Sequence, residues 1–297
     1  MLRIWGHRRA PATTNSIAHR APGRHVHYVS RSHDALDTDA VNRYRELRVG
    51  VLGLGAIGTI FFTRLGLLAA DSKTKEEVLS LKVDAFVKPV QFDHWLRSEE
   101  LKFSLRGHNN DEEENLAFQV NSDRKVAAGI EAPGVRVCTL ESAGCNEKLD
   151  VLLVAVKAYD SAGVIRELRT RNKHLLKDDA LCVLLQNGLG ELPQDEENDL
   201  HHFDDQWQFA NGVTFVGGRV LGFGNVLTSG LDAGTTYLAP FAESGVNSSN
   251  SSGSEKQLQL RRDRNIKMKT VAQVFQAAGT EVISTTNEVD LLTFGTD

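Results

Sequence analysis

The sequence predicts an α/β fold with a doubly wound, mostly parallel sheet and an antiparallel extension. Three features predict it: short apolar runs bounded by glycine, stretches with helical apolar spacing that alternate with those runs, and a glycine-rich turn between the first run and the first helix. A chain of 297 residues with 41% hydrophobic residues is long enough to bury the core that such a fold needs.

The first predicted strand and helix flank a glycine motif. The strand covers Leu47–Leu52 and the helix covers Thr59–Ala70. The GxGxxG motif between them consists of Gly53, Leu54, Gly55, Ala56, Ile57 and Gly58. In such a unit the first glycine permits the tight turn, the second lets the backbone approach a diphosphate, and the third allows the helix to pack closely on the strand. The order therefore predicts a Rossmann-like nucleotide site, with phosphates at the amino end of the helix.

The tip of the second predicted strand bears on the choice of cofactor. A polar insertion, Asp71–Glu77, precedes this strand, which covers Val83–Val87 and ends at Lys88. An acidic residue at this position accepts hydrogen bonds from a ribose 2′-hydroxyl, whereas a cation suits a 2′-phosphate. Lys88 therefore favours NADP over NAD, with Arg97 and Arg106 as less well placed substitutes. The alternative is an ordinary solvated lysine.

Two later strands end in polar residues. The strongest apolar run, Asp150–Val156, ends at Lys157, and a predicted helix follows from Ser161 to about Arg171. The next strand, Ala180–Leu185, is followed closely by Asn187. Ligands of open α/β sheets bind at the carboxyl ends of the parallel strands. We therefore expect Lys157 and Asn187 to lie where a cofactor and a substrate meet.

Other segments are predicted from local pattern. The acidic run Asp111–Glu114 is interpreted as an exposed loop, and Asn247–Ser254 as a surface loop. Short strands, a helix and the antiparallel extension of the sheet complete the prediction: strands at Val135–Thr139 and Glu281–Ser284, a helix at Lys269–Ala278, and the extension at Gln208–Val216, Gly224–Leu227 and Thr235–Ala239.

The amino-terminal segment differs in composition from the rest. Its first 33 residues contain six arginines and no aspartate, glutamate or lysine. This composition is typical of a mitochondrial or plastid transit peptide. Because Pro11 and Pro22 interrupt any helix, a disordered extension or a wrongly assigned start is the alternative. We therefore treat residues 1–45 as an extension, with a cytoplasmic or a mitochondrial location left open.

Composition also limits the partners. A net charge of −5 and a pI near 6.1 give no field that attracts nucleic acid or an anionic membrane. No apolar run approaches the roughly 20 residues that cross a bilayer. The three cysteines lack CxxC spacing and the ten histidines lack HExxH spacing, so we predict reduced thiols and no metal site. The sequence also lacks the GxSxG motif of hydrolases and the phosphate loop of kinases.

Three motifs in order resemble the ketopantoate reductases, also called 2-dehydropantoate 2-reductases. They are Gly53–Gly58, Val156–Asp160 and Leu185–Gly190, and the later Gly212–Thr214, Gly224–Val226 and Leu238–Pro240 fit the same order. The resemblance implies NADPH-dependent reduction of ketopantoate to pantoate, a step toward pantothenate and coenzyme A. It also implies that Lys157 and Asn187 line the cleft for the cofactor and a 2-keto acid.

The chain is also expected to differ from members of this family in its carboxyl-terminal part. Members of the family continue into a helical carboxyl-terminal domain, which supplies a lysine as the general acid and a glutamate. We therefore expect a cofactor domain over residues 46–286, a truncated start of the next domain over 287–297, and no general-acid lysine in this chain. Losing a proton donor costs about 10²- to 10⁴-fold in rate.

Three functions remain open at this stage. The first is ketopantoate reduction, with the activity of this chain in doubt. The second is a non-catalytic NADP-binding module that senses or scaffolds. The third is another nicotinamide-dependent 2-keto or hydroxy acid dehydrogenase on the same fold. The oligomeric state is also open, with a homodimer as one option.

Overall fold

A computed structural model shows a mixed α/β protein with two sheets. It describes residues 2–5, 46–70, 80–97, 100–109, 112–121, 125–126, 129–132, 134–143, 147–186, 207–229, 234–241 and 255–285. The helices are α1 (Ala56–Ala70), α2 (Pro89–Arg97), α3 (Ala158–Thr170) and α4 (Glu255–Ala277), with a short 3₁₀ helix at Lys173–Leu175. The strands are β1 (Leu2–Trp5), β2 (Glu46–Leu52), β3 (Ser80–Phe86), β4 (Glu100–Asn109), β5 (Glu112–Asn121), β6 (Lys125–Val126), β7 (Gly129–Ala132), β8 (Val135–Cys138), β9 (Leu149–Val154), β10 (Leu176–Gln186), β11 (Gln208–Thr214), β12 (Gly218–Gly222), β13 (Asn225–Thr228), β14 (Thr235–Pro240) and β15 (Glu281–Ser284).

The larger sheet is doubly wound. Its order is β15-β14-β11-β10-β9-β2-β3-β8-β7-β6. The six central strands, from β8 to β11, are parallel. Counted along the chain, these six strands have the order 3-2-1-4-5-6 of dinucleotide-binding sheets. The predicted fold class is confirmed, and its first strand, β2, occupies the centre of the sheet.

The antiparallel extension was predicted only in part. β14 pairs antiparallel to β11, as expected, but β11 itself pairs parallel to β10 and is the sixth parallel strand. The hairpin β12–β13 does not extend the large sheet, because β13 pairs with β4 in a second sheet. The apolar pattern of a short strand identifies the strand but carries no information about the direction of its neighbour.

The second sheet has the order β1-β5-β4-β13-β12. It corrects the interpretation of the acidic run, because Glu112–Glu114 belong to β5 and pair antiparallel to β4 across the register Gly107–Asn109. Leu2–Trp5 pair with the other edge of β5, and residues 6–45 lie outside the described residues. The predicted loop at Asn247–Ser254 and the insertion Asp71–Glu77 also lie outside them.

Helix α1 is buried between the two sheets. On one side Phe61 contacts Phe275 of α4, with ring centroids 5.0 Å apart. On another side Phe62 meets Phe103 of β4 edge-on at 4.8 Å. A helix that is apolar around most of its circumference needs partners on several sides, and here the large sheet, the second sheet and α4 supply them. α1 is therefore held at the centre of the molecule, with its amino end at the carboxyl edge of the large sheet.

Two apolar layers cover the two faces of the large sheet. The layer around α1 includes Val49, Val51 and Val83, whereas the layer beneath α3 includes Leu152, Val154 and Leu184. Alternate residues of each parallel strand are thus buried on opposite faces. α4 begins fourteen residues earlier than the predicted Lys269–Ala278, because its first turns are too polar to show apolar spacing.

Candidate cofactor site

The first and third glycines of the motif allow β2, α1 and β9 to pack closely. Gly53 has a φ of +91°, and a Cβ there would lie 2.8 Å from Val156 Cγ1. A Cβ at Gly58 would lie 1.9 Å from the carbonyl oxygen of Gly53 and 3.2 Å from the Cβ of Ala155. At Gly58 a side chain would require a movement of the backbone, and at Gly53 the positive φ disfavours any residue with a Cβ. Gly53 therefore permits the tight turn and Gly58 the close packing, as the sequence predicted.

The second glycine faces open space. A Cβ added at Gly55 meets no atom within 4 Å, and the residue is exposed. The carbonyl of Gly55 accepts the N–H of Thr59 at 3.0 Å, which closes the first turn of α1. The N–H groups of Ala56, Ile57 and Gly58 precede that bond and have no acceptor within the helix. This donor set, in front of an open surface, fits a diphosphate.

Lys157 lies across the crevice from the glycine motif. The strand order reverses between β2 and β9, and the N–H of Ala155 donates to the carbonyl of Leu52 at 2.9 Å. Two residues further on, Lys157 is exposed and caps α3. Its carbonyl accepts the N–H of Asp160 at 2.9 Å and the hydroxyl of Ser161 at 3.3 Å. The backbone of Lys157 is therefore fixed, and the residue is exposed beyond the tip of β9.

Lys88 lies beyond the tip of β3, on the other side of β2. It is exposed and precedes α2, and its carbonyl accepts the N–H groups of Gln91 at 2.9 Å and Phe92 at 3.1 Å. Adjacent strands are about 4.8 Å apart, so the tips of β3 and β9 are about 10 Å apart with β2 between them. Arg97 ends α2 and Arg106 belongs to the second sheet, so both lie away from this tip.

Asn187 lies outside the described residues, which resume at residue 207. β10 ends at Gln186 and is hydrogen-bonded to β9, so the chain enters that stretch at the same edge as Lys157. Of the predicted site residues, the structure brings the glycine motif, Lys88 and Lys157 to one edge of the sheet.

A segment that follows β11 was not predicted to lie at the site. Val216 is buried against Ile60 of α1, and a Cβ at Gly218 would lie 3.5 Å from the Cβ of Ala56. Residues 215–218 therefore run from the sixth parallel strand to the amino end of α1. The paired glycines Gly217 and Gly218 were the available signal, because adjacent glycines after a strand indicate a close backbone approach.

The strand order, the glycine turn and the lysine at the switch point define the class: this is a dinucleotide-binding type of Rossmann domain. Residues 49–243 match the family model described as ketopantoate reductase PanE/ApbA. The chain therefore belongs to the ketopantoate reductase family, which is a family of oxidoreductases.

The chain is also similar to several solved structures. The chain is similar to 2-dehydropantoate 2-reductase from Methylococcus capsulatus, with 19% identity, a TM-score of 0.47, and coverage of 81% of this chain and 57% of that chain. The enzyme of the same name from Porphyromonas gingivalis W83 has 15% identity and a TM-score of 0.50, with coverage of 82% of this chain and 65% of that chain. D-mandelate dehydrogenase, solved with NADH and anilino(oxo)acetate, has 15% identity and a TM-score of 0.47, with coverage of 80% of this chain and 57% of that chain.

The chain thus spans 57 to 65% of the length of these solved chains. A search of curated protein sequences found no match. Among the described residues, no helix is long and apolar enough to span a membrane. The same part of the chain holds no group of three or more histidine, cysteine, aspartate or glutamate side chains arranged to bind a metal.

Proposed function

We propose that this chain binds NADPH and serves the reduction of a 2-keto acid to the 2-hydroxy acid, with ketopantoate as the substrate and pantoate as the product. One observation carries the proposal: the open turn at Gly55 and the exposed Lys157 flank the point where the strand order reverses. Family membership supports the reaction class. The reaction is a step toward pantothenate and coenzyme A.

Each residue of the site has a role in this proposal. The N–H groups of residues 56–58 hold the diphosphate, and Lys88 holds the ribose 2′-phosphate. When bound, NADPH would supply a hydride to the keto carbon, and a proton from solvent would complete the hydroxyl group. Lys157 attracts the carboxylate of the 2-keto acid or a ribose hydroxyl, and Asn187 positions the nicotinamide side of the cleft. Residues 46–286 form the cofactor domain in this proposal.

The cofactor assignment is tested by titration of the full chain with NADPH and NADH, followed by coenzyme fluorescence. Replacing Lys88 by glutamate removes a charge-assisted contact and adds repulsion, so NADPH affinity should fall about tenfold or more. NADH affinity should change by less than about twofold, since NADH lacks the phosphate. Lys269→Glu, at an exposed position on α4, is the matched control and should change neither affinity.

The outcomes separate the alternatives. If neither coenzyme binds folded protein, the proposed function is wrong. Equal loss of both coenzymes in Lys88→Glu would remove Lys88 from the phosphate site. NADPH binding without oxidation of NADPH by any 2-keto acid, in this chain and also in a chain extended by a carboxyl-terminal domain of the family, would favour the non-catalytic module. Oxidation with another 2-keto acid but not with ketopantoate would favour a different dehydrogenase of the same fold.

Two further assignments remain proposals. The arginine-rich residues 1–45 direct the chain to mitochondria in this proposal, and a fluorescent protein fused behind them should then appear in that organelle. The fluorescent fusion would stay in the cytoplasm if the segment is an untargeted extension. A homodimer is tested by light scattering of the purified chain, in which a monomer mass would exclude it.

A further inference from the structure

Phe215 follows the last residue of β11, at the carboxyl edge of the sheet. β11 pairs with β10 in parallel, and Val213 lies opposite Gln186, so the tips of the fifth and sixth parallel strands are neighbours. The side chain of Phe215 is 54% exposed. Phe215 therefore presents an aromatic surface at the edge that carries the glycine motif and Lys157.

The position of the ring is fixed by the surrounding structure. The N–H of Phe215 donates to the carbonyl of Thr235 at 3.0 Å. The next N–H, of Val216, donates to the hydroxyl of Thr214 at 3.2 Å, and that hydroxyl is hydrogen-bonded to Thr236 at 2.9 Å. The ring meets Tyr237 edge-on, with centroids 5.9 Å apart and planes at 89°. A ring held in this way is a preformed surface.

The segment that carries Phe215 continues to the cofactor site. Val216 packs against Ile60, and a Cβ at Gly218 would lie 3.0 Å from Ile60 Cδ1 and 3.5 Å from Ala56 Cβ. Ala56 is the first residue of α1, where the diphosphate binds in the proposed function. The segment therefore connects the sixth strand tip to the phosphate end of the cofactor site.

The strand spacing gives the scale of the site. β11 is three strands from β2, which is about 14 Å at about 4.8 Å per strand. In a sheet of this order the second half of a dinucleotide extends from the switch point over strands four and five. The tip of strand six, with Phe215, then lies beside the reacting end of the cofactor and not beside its adenosine half.

We propose that Phe215 is a specificity-determining residue that forms the apolar wall for the substituent on the keto carbon of the substrate. It selects 2-keto acids with a branched or aromatic substituent over those with a methyl group, because burying a larger apolar group against a fixed ring is favourable. This inference rests on the proposed function, since it needs bound NADPH and a 2-keto acid. It goes beyond that function by attributing the selection among 2-keto acids to one side chain.

The test measures binding as well as turnover. The full chain is saturated with NADPH and titrated with pyruvate, ketopantoate and phenylpyruvate in a calorimeter. In Phe215→Ala, affinity for the two larger acids should fall about tenfold, whereas affinity for pyruvate should change less than about twofold. Phe215→Leu should recover part of the loss. Phe223→Ala removes another half-exposed phenylalanine, which packs on His94 and Trp95, and should alter none of the three affinities.

Other results would overturn the inference in distinguishable ways. Equal loss for all three acids would show a general effect on the site. A fall in NADPH affinity in Phe215→Ala would show that the ring contacts the cofactor. If NADPH binds but no 2-keto acid does, this inference is wrong while the cofactor assignment stands. If NADPH itself does not bind, the proposed function fails first. Thermal unfolding of each variant excludes loss of fold as the cause.

Discussion

Three glycines of one motif meet different surroundings. At Gly58 the position of a Cβ is occupied by the carbonyl of Gly53, whereas at Gly55 it is empty. One glycine is therefore needed for the fold, and the other is needed only if something binds in front of it. The sequence motif alone assigns both roles, but only the structure separates them by measurable distances.

The separation predicts opposite outcomes for two alanine substitutions. Gly58→Ala should cost about 3 kcal/mol or more of folding free energy, because the backbone must move to admit the methyl group. Gly55→Ala should cost less than about 1 kcal/mol, yet weaken NADPH binding about tenfold or more by holding the diphosphate away from the amides. Urea unfolding and coenzyme titration measure the two effects. Full NADPH affinity in Gly55→Ala would place the diphosphate elsewhere.

At the scale of elements, a buried ion cluster joins four parallel strands. Asp84 of β3 is 1% exposed, and its carboxylate accepts hydrogen bonds from Arg48 of β2 at 2.6 and 3.2 Å. Arg136 of β8 donates to the same carboxylate at 3.0 and 3.2 Å. The amide of Arg48 also donates to Asp150 of β9 at 3.0 Å. One buried carboxylate thus accepts hydrogen bonds from two guanidinium groups, and Arg48 also forms an ion pair with Glu147.

Removing that charge should be costly. Asp84→Asn keeps the shape but removes the buried carboxylate that both guanidinium groups share, while Arg48 keeps its ion pair with Glu147. The unfolding free energy should therefore fall by about 3 kcal/mol. Asp178→Asn is the control, because Asp178 is 79% exposed and its contact with Lys148 is 3.9 Å long. The control should cost less than about 1 kcal/mol in the same urea titration. Equal losses in the two variants would show that the cluster contributes nothing beyond a surface pair.

Elements with a strong local pattern were predictable, and elements defined by distant partners were not. The apolar run before the glycine motif predicted β2 to within one residue, since most residues of this strand are apolar and buried. β4 and β5 were missed because the acidic run at their turn was interpreted as a loop, although the alternation of polar and apolar residues in β4 is typical of a strand with one buried face. β11 was predicted as a strand but given the wrong direction, because its direction depends on β10, more than twenty residues earlier.

At the scale of the whole molecule, the topology assembles a site whose parts are distant in sequence. The glycine motif, Lys88 and Lys157 were predictable because each follows a strong strand and the carboxyl ends of parallel strands share one edge. Phe215 was not predictable in the same way. Its place at that edge depends on β11 being parallel, and its fixed ring depends on Tyr237 of β14.

Residues on both faces of the large sheet also affect the pKa of one buried thiol. Cys182 of β10 is 2% exposed, and burial raises the pKa of its thiol to about 12, although the positive charges of Arg169 on α3 and Lys267 on α4 oppose that increase. In the unfolded chain the thiol has its ordinary pKa of 9.0. Below about pH 8 both states keep the proton, so the contribution of the neutral thiol to stability is fully present.

Between about pH 9 and about pH 12 the folded chain binds more protons at Cys182 than the unfolded chain does. The unfolding free energy should therefore fall as pH rises, and this group should contribute about 1 kcal/mol per pH unit to that decrease. Cys182→Ala removes the titrating group, so its unfolding free energy should decline less steeply from pH 8 to pH 10.5 than that of the wild type. Urea titrations at several pH values measure the two slopes, and comparing slopes removes the constant cost of the smaller side chain. The difference between the two slopes therefore reports the thiol. Parallel declines would mean that the thiol ionises as readily in the folded chain as in the unfolded one, and that the layers over β10 admit water.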